Sequence, residues 1–326
     1  MRESGGLLVI VNNAAARARA AAPVVRAALG RAGVPFEVRE SVRPGETEAA
    51  ARAAFASGVR TVAVVGGDGT LSAGAAGYFE PCEDAGGGGT PRAVNASSAL
   101  AVMPAGTGDD FARGLTGGKR EPLEAWLARL VGHCRRGAVD DGRRVDVLLG
   151  SVDAGARRFV CLNAATLGIG AEVAARVGAQ GDHVRRLPGE ARFALAAVRS
   201  LAEWRNRAVR VEVDGGPWLE CGTNLLAVVN GAYAGGGMNF SPAASLTDGL
   251  LDVLAVCRIG RAGLVRELTR VHRGGHLANP KVKLTRGRRV RIQADTEQLP
   301  VEADGDVRGH TPAEFRVMPA AMRVVF

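Results

Sequence analysis

Short apolar runs alternate with Ala-rich stretches that stop at glycine over the first third of the chain. Residues 7–12, 36–38 and 61–65 are β-rich, and between them lie an Ala/Arg/Val stretch reaching Gly33 and a second from Glu46 to Gly58. Strands separated by glycine-terminated helices pair through crossover connections, which builds βαβ units and a parallel sheet. The pattern resumes with a strand at 99–103, a glycine loop, and a helical run over 122–136.

From about Asp140 the rhythm changes to many short alternating runs, at 144–149, 158–163, 209–213, 224–229, 250–257, 282–284 and 290–292. The turn Asp214-Gly215-Gly216-Pro217 lies between two of them, as a hairpin requires. Two helices interrupt the series, over 188–205 with Pro188 near its first turn, and over 262–272. The last strand, 321–326, has partners available in either half. The expected fold class is a doubly wound α/β domain with a parallel sheet, residues 1–138 with 316–326, and a mainly antiparallel β-sandwich, residues 139–315.

Composition narrows the function. With 42 Lys+Arg against 33 Asp+Glu the formal charge is +9, yet aromatics are only 4% of the chain, too few for base-stacking platforms. No nucleic-acid partner is expected. Five cysteines (Cys82, Cys134, Cys161, Cys221, Cys257) show no C-x-x-C spacing and are odd in number, so reduced, mostly buried thiols are expected. The apolar run 7–11 is shorter than a signal-peptide core of about 7 to 15 residues. No stretch approaches the roughly 18 apolar residues of a membrane span, so a cytoplasmic location is expected. The Gly-rich segment 80–91 reads as a flexible surface insertion.

The chemistry concentrates in glycine turns. Gly66-Gly67-Asp68-Gly69-Thr70 follows an apolar strand, where backbone without Cβ atoms can bring N–H groups against phosphate oxygens with a helix N-terminus behind. Alone, the same residues read equally as a tight turn whose glycines adopt positive φ and whose Asp68 caps the helix. Neither G-x-x-x-x-G-K-[ST] nor G-x-G-x-x-G occurs, which disfavours P-loop and ordinary dinucleotide-binding proteins. A second strand end feeds Ala105-Gly106-Thr107-Gly108-Asp109-Asp110. In a parallel sheet both turns open on one carboxyl edge and face one crevice.

GGDGT, PAGTGDDFARGL, NAATLGIGAEV (163–173), GGGMNFSPAASLTDGLLDV (235–253) and the turn Asp304-Gly305-Asp306 occur in that order. The set resembles the diacylglycerol kinase catalytic family, most nearly its bacterial soluble lipid kinases and more distantly the sphingosine kinases. The resemblance implies an ATP-dependent kinase that phosphorylates a lipid hydroxyl, diacylglycerol or a related lipid, with a nucleotide-binding domain and a lipid-binding β-sandwich.

The same resemblance implies site residues. ATP would contact Gly66, Gly67, Asp68, Gly69, Thr70, Leu71 and Ser72, with Ser41, Thr107 and Asp110. Ser41 also reads as a loop hydroxyl capping residues 43–46. Asp68 and Asp110 would arrange the catalytic Mg²⁺, since carboxylates approach a phosphoryl group only through a metal. A second Mg²⁺ would sit on Ser245, Asp248 and Leu250, an oxygen set suited to a hard cation, though Asp248-Gly249 reads by itself as a turn. Asp304 would be the general base. An ordinary Asp has a pKa near 3.9, far below an alcohol, so its work would be orientation and late proton acceptance.

Some residues depart from the family pattern or stand outside it. Asp109 replaces the usual Asn, Asn13 the usual Pro, and Asp306 the usual Glu. His272 and His276 are separated by two glycines, and no zinc is assigned to them. The basic run of Lys281, Lys283, Arg286, Arg288, Arg289 and Arg291 reads as a solvated strand face, or as a dock for anionic bilayers at about 1 kcal/mol per basic residue. The expected partner is a lipid presented at the inner membrane face. A homo-oligomer is compatible with the chain. A NAD kinase-like enzyme and a non-catalytic nucleotide-binding regulator are the alternatives.

Overall fold

The computed structural model describes residues 6–82, 89–137, 142–180 and 189–326. The first lobe runs β1 (Leu7–Asn12), α1 (Ala16–Arg31), β2 (Phe36–Ser41), α2 (Glu46–Ala56), β3 (Thr61–Gly66), α3 (Asp68–Tyr78), β4 (Ala99–Pro104), α4 (Asp110–Leu115) and α5 (Leu123–Arg136). Its sheet is parallel in the order β2-β1-β3-β4. Asn12 pairs with Ser41 and Gly66 with Pro104, so all four strands end at one edge. β1 is apolar from Leu7 to Val11 and β3 from Val62 to Val65, because helices cover both faces.

The second lobe holds β5 (Arg143–Val152), β6 (Arg157–Cys161), β7 (Ala164–Gly168), α6 (Ile169–Gly178), α7 (Gly189–Glu203), β8 (Arg207–Val213), β9 (Leu219–Val229), β10 (Tyr233–Ala234), β11 (Met238–Asn239) and β12 (Leu251–Cys257). It continues with α8 (Arg261–Val271), β13 (Val282–Gly287), β14 (Arg289–Ala294), β15 (Pro300–Ala303), β16 (Asp306–His310) and β17 (Ala313–Val325). These strands pair antiparallel and fold into a sandwich around Leu148, Leu167, Val228, Ile292, Val301 and Phe315.

The last strand is longer than its sequence pattern suggests, because one strand serves both lobes. Residues 313–316 of β17 pair with β14, and most of β17 pairs antiparallel with β5. After the irregularity between Met318 and Met322, Val324 and Val325 pair parallel with β4. Alternation along β5 sends Val145, Val147 and Leu149 into the first core and Leu148 into the second.

Other expectations need correction. The strand expected over 158–163 stops at Cys161 as β6, and Leu162-Asn163 break it from β7, turning main-chain N–H groups to the carboxylate of Asp304. The glycine-spaced segment 169–178 is helical, an element not anticipated. The helix expected at 188–205 is described from Gly189, and Pro188 lies outside the described residues, as do 83–88 of the Gly-rich insertion. Cys221 and Cys257 are not thiols but a disulfide, their Cα atoms 5.8 Å apart. The antiparallel pairing of β9 with β12 sets Cys257 opposite Thr223, beside Cys221, a juxtaposition that a sequence separation of 36 conceals. Cys82, Cys134 and Cys161 are free. Among the described residues no helix is long and apolar enough to cross a membrane.

Candidate active site

The two glycine turns lie back to back at the carboxyl edge. A Cβ on Gly67 would stand 3.1 Å from the Gly106 Cα, and one on Gly106 would stand 2.6 Å from the Gly67 Cα. None of Gly66, Gly67 and Gly69 takes a positive φ. Gly66 and Gly67 are therefore needed for close approach, not for a left-handed turn, whereas a Cβ on Gly69 would meet nothing within 4 Å. Nor does Asp68 cap its own helix: its Oδ1 accepts the N–H of Phe111 at 3.1 Å, at the start of α4.

Gly69, Thr70 and Ser72 line a cleft of about 650 Å³ between the lobes, with Asn12, Ser41, Arg43 and Thr47 from the first lobe and Arg158, Phe159, Asp306 and Arg308 from the second. The Asn12 amide holds Thr70 Oγ1 at 2.8 Å. α3 begins at this edge, where a helix N-terminus favours anions, with the N–H groups of Thr70 and Leu71 already spent on the Gly67 carbonyl. Ser41 is buried and its hydroxyl bonds Thr47 Oγ1 at 2.7 Å. It does not cap 43–46, because Glu46 takes the N–H groups of Val42 and Arg43. Leu71 is a core side chain whose N–H is spent on the Gly67 carbonyl. Thr107 is exposed and is not one of the described cleft-lining residues; its carbonyl accepts from Arg120 at 2.5 Å.

Asp109 takes the left-handed conformation, φ 51°, which Asn and Asp tolerate best. Its Oδ1 accepts the Gly106 N–H at 2.8 Å, and Arg120 stands 3.4 Å away to offset the charge gained over Asn.

Asp110 joins the two lobes away from the residues that line that cleft. Its carboxylate accepts the N–H groups of Gly236 and Gly237 in the β10–β11 turn at 2.7 and 2.6 Å. Asp68 Oδ2 and Asp110 Oδ2 both face Gly108, at 3.1 and 3.3 Å from where a Cβ would stand. Desolvation, and then the Asp110 charge beside it, push Asp68 up to about 7. Asp110 is raised too, chiefly by desolvation and against the two glycine N–H groups. Two repelling carboxylates over one glycine fit a divalent cation, with oxygen donors only. Among the described residues no three His, Cys, Asp or Glu side chains form a metal-binding group.

The acidic turn of the second lobe meets α3 directly. Asp304, at φ 48°, accepts the Ser72 hydroxyl on Oδ2 at 2.8 Å. The break between β6 and β7 exists for this carboxylate, which also takes the N–H groups of Leu162, Asn163 and Ala164. Glu302, two residues earlier, accepts the Gly305 N–H and the Thr166 hydroxyl, both at 2.5 Å. Desolvation pushes it up to about 7. Glu302 went unremarked in the sequence, although a carboxylate alternating with Val301 and Ala303 in a strand was a signal for it.

Ser245, Asp248 and Leu250 form a separate, more exposed loop. Asp248 Oδ1 accepts the Leu250 N–H at 3.1 Å and Ser245 Oγ takes the Thr247 N–H at 3.3 Å. Buried Asp146, also missed, ties the Gly249 N–H to that of Ala320, both at 2.7 Å. The donors are oxygens and fit a hydrated divalent ion, with Arg286 standing 4.0 Å from Asp248 Oδ2.

The basic run does not form a free patch. Arg286 pairs with buried Asp252, Arg291 with buried Glu212 and Arg289 with Glu314, because these charges answer carboxylates of neighbouring strands. Lys281, Lys283 and Arg288 are the exposed remainder. His272 Nδ1 and His276 Nε2 lie on the carbonyls of Gly237 and Phe240, each at 3.1 Å.

Residues 6–139 match the diacylglycerol kinase catalytic domain, and residues 166–326 the YegS C-terminal NAD kinase beta sandwich-like domain. The chain is 30% identical over 303 residues to the "Probable lipid kinase YegS-like" of Pseudomonas aeruginosa (strain UCBPP-PA14), covering 92% of this chain and 88% of that one. It is 29% identical over 273 residues to a diacylglycerol kinase of Mycobacterium tuberculosis (strain CDC 1551 / Oshkosh), covering 84% and 79%. A crystal structure of diacylglycerol kinases from Bacillus anthracis str. Sterne is similar in fold, with a TM-score of 0.66 at 19% identity over 98% of this chain and 96% of that one.

Proposed function

Because the chain belongs to the diacylglycerol kinase family of lipid kinases, we propose that it transfers the γ-phosphoryl group of ATP to the hydroxyl of diacylglycerol or a related lipid. The observation that carries this reading is the 2.8 Å bond from Ser72 to Asp304, which unites the phosphate-facing helix with the acidic turn at one cleft. Residues 1–138 with 316–326 serve as the nucleotide lobe, and residues 139–315 as the lipid lobe.

The triphosphate lies against Gly69, Thr70 and the start of α3, below the carboxyl edge where α/β sheets bind ligands. Arg43, Arg158 and Arg308 make the cleft electropositive toward it. Asp68 and Asp110 hold Mg²⁺, which when bound neutralises charge on the phosphate oxygens. A second Mg²⁺ is held by Ser245, Asp248 and Leu250 and stiffens their loop. Asp304, kept in place by three main-chain N–H groups, is the final acceptor of the lipid hydroxyl's proton, late along a loose phosphoryl transfer. Lys281, Lys283 and Arg288 provide the weaker, electrostatic contact to an anionic inner-membrane face.

Incubation of purified protein with γ-labelled ATP, Mg²⁺ and a total lipid extract, with NAD offered in parallel, tests the reading. Label in a phospholipid product supports it; label in NADP alone, or in no acceptor, contradicts it.

A further inference from the structure

Asp304 already has a full set of donors. Its Oδ1 accepts the N–H groups of Asn163 and Ala164 at 3.0 and 3.4 Å, and its Oδ2 accepts the Leu162 N–H at 2.7 Å and the Ser72 hydroxyl at 2.8 Å. An ionised carboxylate offers about four acceptor positions, so an incoming alcohol finds none vacant. Three of the donors are main-chain groups of one turn between paired strands and cannot swing away. The Ser72 hydroxyl can rotate about a single bond.

Position agrees with this count. Ser72 lines the inter-lobe cleft, and Asp304 is not one of the described lining residues. Ser72 also stands three residues after Gly69 on α3, hence on the same helix face as the proposed phosphate contact. A hydroxyl bound to Ser72 Oγ is therefore placed beside the terminal phosphate, and the serine oxygen keeps lone pairs free to accept from it.

We propose that Ser72 is the proton relay between the lipid hydroxyl and Asp304, an inference that rests on the kinase reading above. As the lipid oxygen forms its bond to the γ-phosphorus, the bond from that phosphorus to the β,γ-bridging oxygen breaks and its electron pair leaves with ADP. The lipid proton passes to Ser72 Oγ while the Ser72 proton passes to Asp304 Oδ2. Ser72 ends neutral and Asp304 protonated, and Asp304 returns the proton through Ser72 to water when the products leave. Such a path lets the Asp304 carboxylate serve an alcohol it does not touch.

The test compares wild type, Ser72→Ala and Ser72→Thr by lipid phosphorylation, with rates taken in H2O–D2O mixtures. Loss of a proton-transfer group costs about 100-fold or more, and a water entering the Ala variant restores part of it, so Ser72→Ala is expected to lower kcat roughly 10- to 100-fold. Its KM for ATP should move less than about threefold, and Ser72→Thr should stay within about threefold of wild type in kcat. The wild-type rate should curve with deuterium fraction, as two protons in flight require, and a merely structural hydroxyl would not produce that curve. An unchanged kcat in Ser72→Ala, a loss confined to the ATP KM, or a linear wild-type dependence would overturn the relay while leaving the kinase reading intact. A wild-type protein that phosphorylates no lipid would sink both.

Discussion

Asp110 of the first lobe holds the main-chain N–H of Gly237 in the second at 2.6 Å. One carboxylate thus fastens the two lobes and faces Asp68 over Gly108. Asp110→Asn keeps one acceptor, loses the other and removes a charge. The Mg²⁺ concentration for half-maximal activity should rise about tenfold or more, read by metal titration at fixed ATP. An unchanged Mg²⁺ dependence would remove Asp110 from the metal site.

The two glycine roles separate by mutation. A Cβ on Gly106 would meet the Gly67 backbone at 2.6 Å, whereas one on Gly69 would meet nothing within 4 Å. Gly106→Ala should destabilise the fold by about 1 to 3 kcal/mol, the usual range for forced overpacking. Gly69→Ala should melt like wild type yet raise the KM for ATP about tenfold, because its methyl occupies the approach of the phosphates. Equal melting losses for the two variants would contradict the assignment.

Glu302 gives the fold a pH dependence of fixed sign. Its carboxyl lies near 4.5 when unfolded and is pushed up to about 7 in the fold by desolvation, so the native state binds more protons in between. Stability from this group is fully present below about pH 4.5 and is lost as pH rises through about 7, by about 1 to 3 kcal/mol. Glu302→Gln should melt several degrees higher than wild type at pH 8 and show little gain at pH 4.5. Parallel melting curves at both pH values would refute this.

The Cys221–Cys257 disulfide closes a loop across 36 residues of chain. On the chain-entropy account such a crosslink contributes about 3 to 4 kcal/mol. Reductant should lower the melting temperature of wild type and leave Cys221→Ser unaffected; equal sensitivity of the two proteins would contradict it.

What could be read in advance follows the range of the interactions involved. Strands β1, β3 and β4 were legible because each is a buried apolar run, a local pattern, whereas the edge strand β2 was readable only as the short run 36–38. The glycine turns were legible as motifs, though their reason, backbone contact between Gly67 and Gly106, is a matter of two strand ends 39 residues apart. The break at Leu162-Asn163 was hidden because its cause, the Asp304 carboxylate, lies some 140 residues downstream. The disulfide and the internal pairing of Arg286 and Arg291 were hidden for the same reason, since each partner sits on a neighbouring strand brought in by topology. Asp146 carried a local sign, a single acid within an apolar strand, but its partners Gly249 and Ala320 did not.

The measurement that bears most directly on the account is the single-turnover rate of lipid phosphorylation by Asp304→Asn, with ATP and Mg²⁺ saturating. The carboxamide is nearly isosteric but keeps one acceptor oxygen of two and is a far weaker proton acceptor, so in variant protein shown by its melting curve to be folded the phosphoryl-transfer rate should fall about 100-fold or more while ATP binding stays close to that of wild type. A variant that transfers phosphate at the wild-type rate would contradict the account.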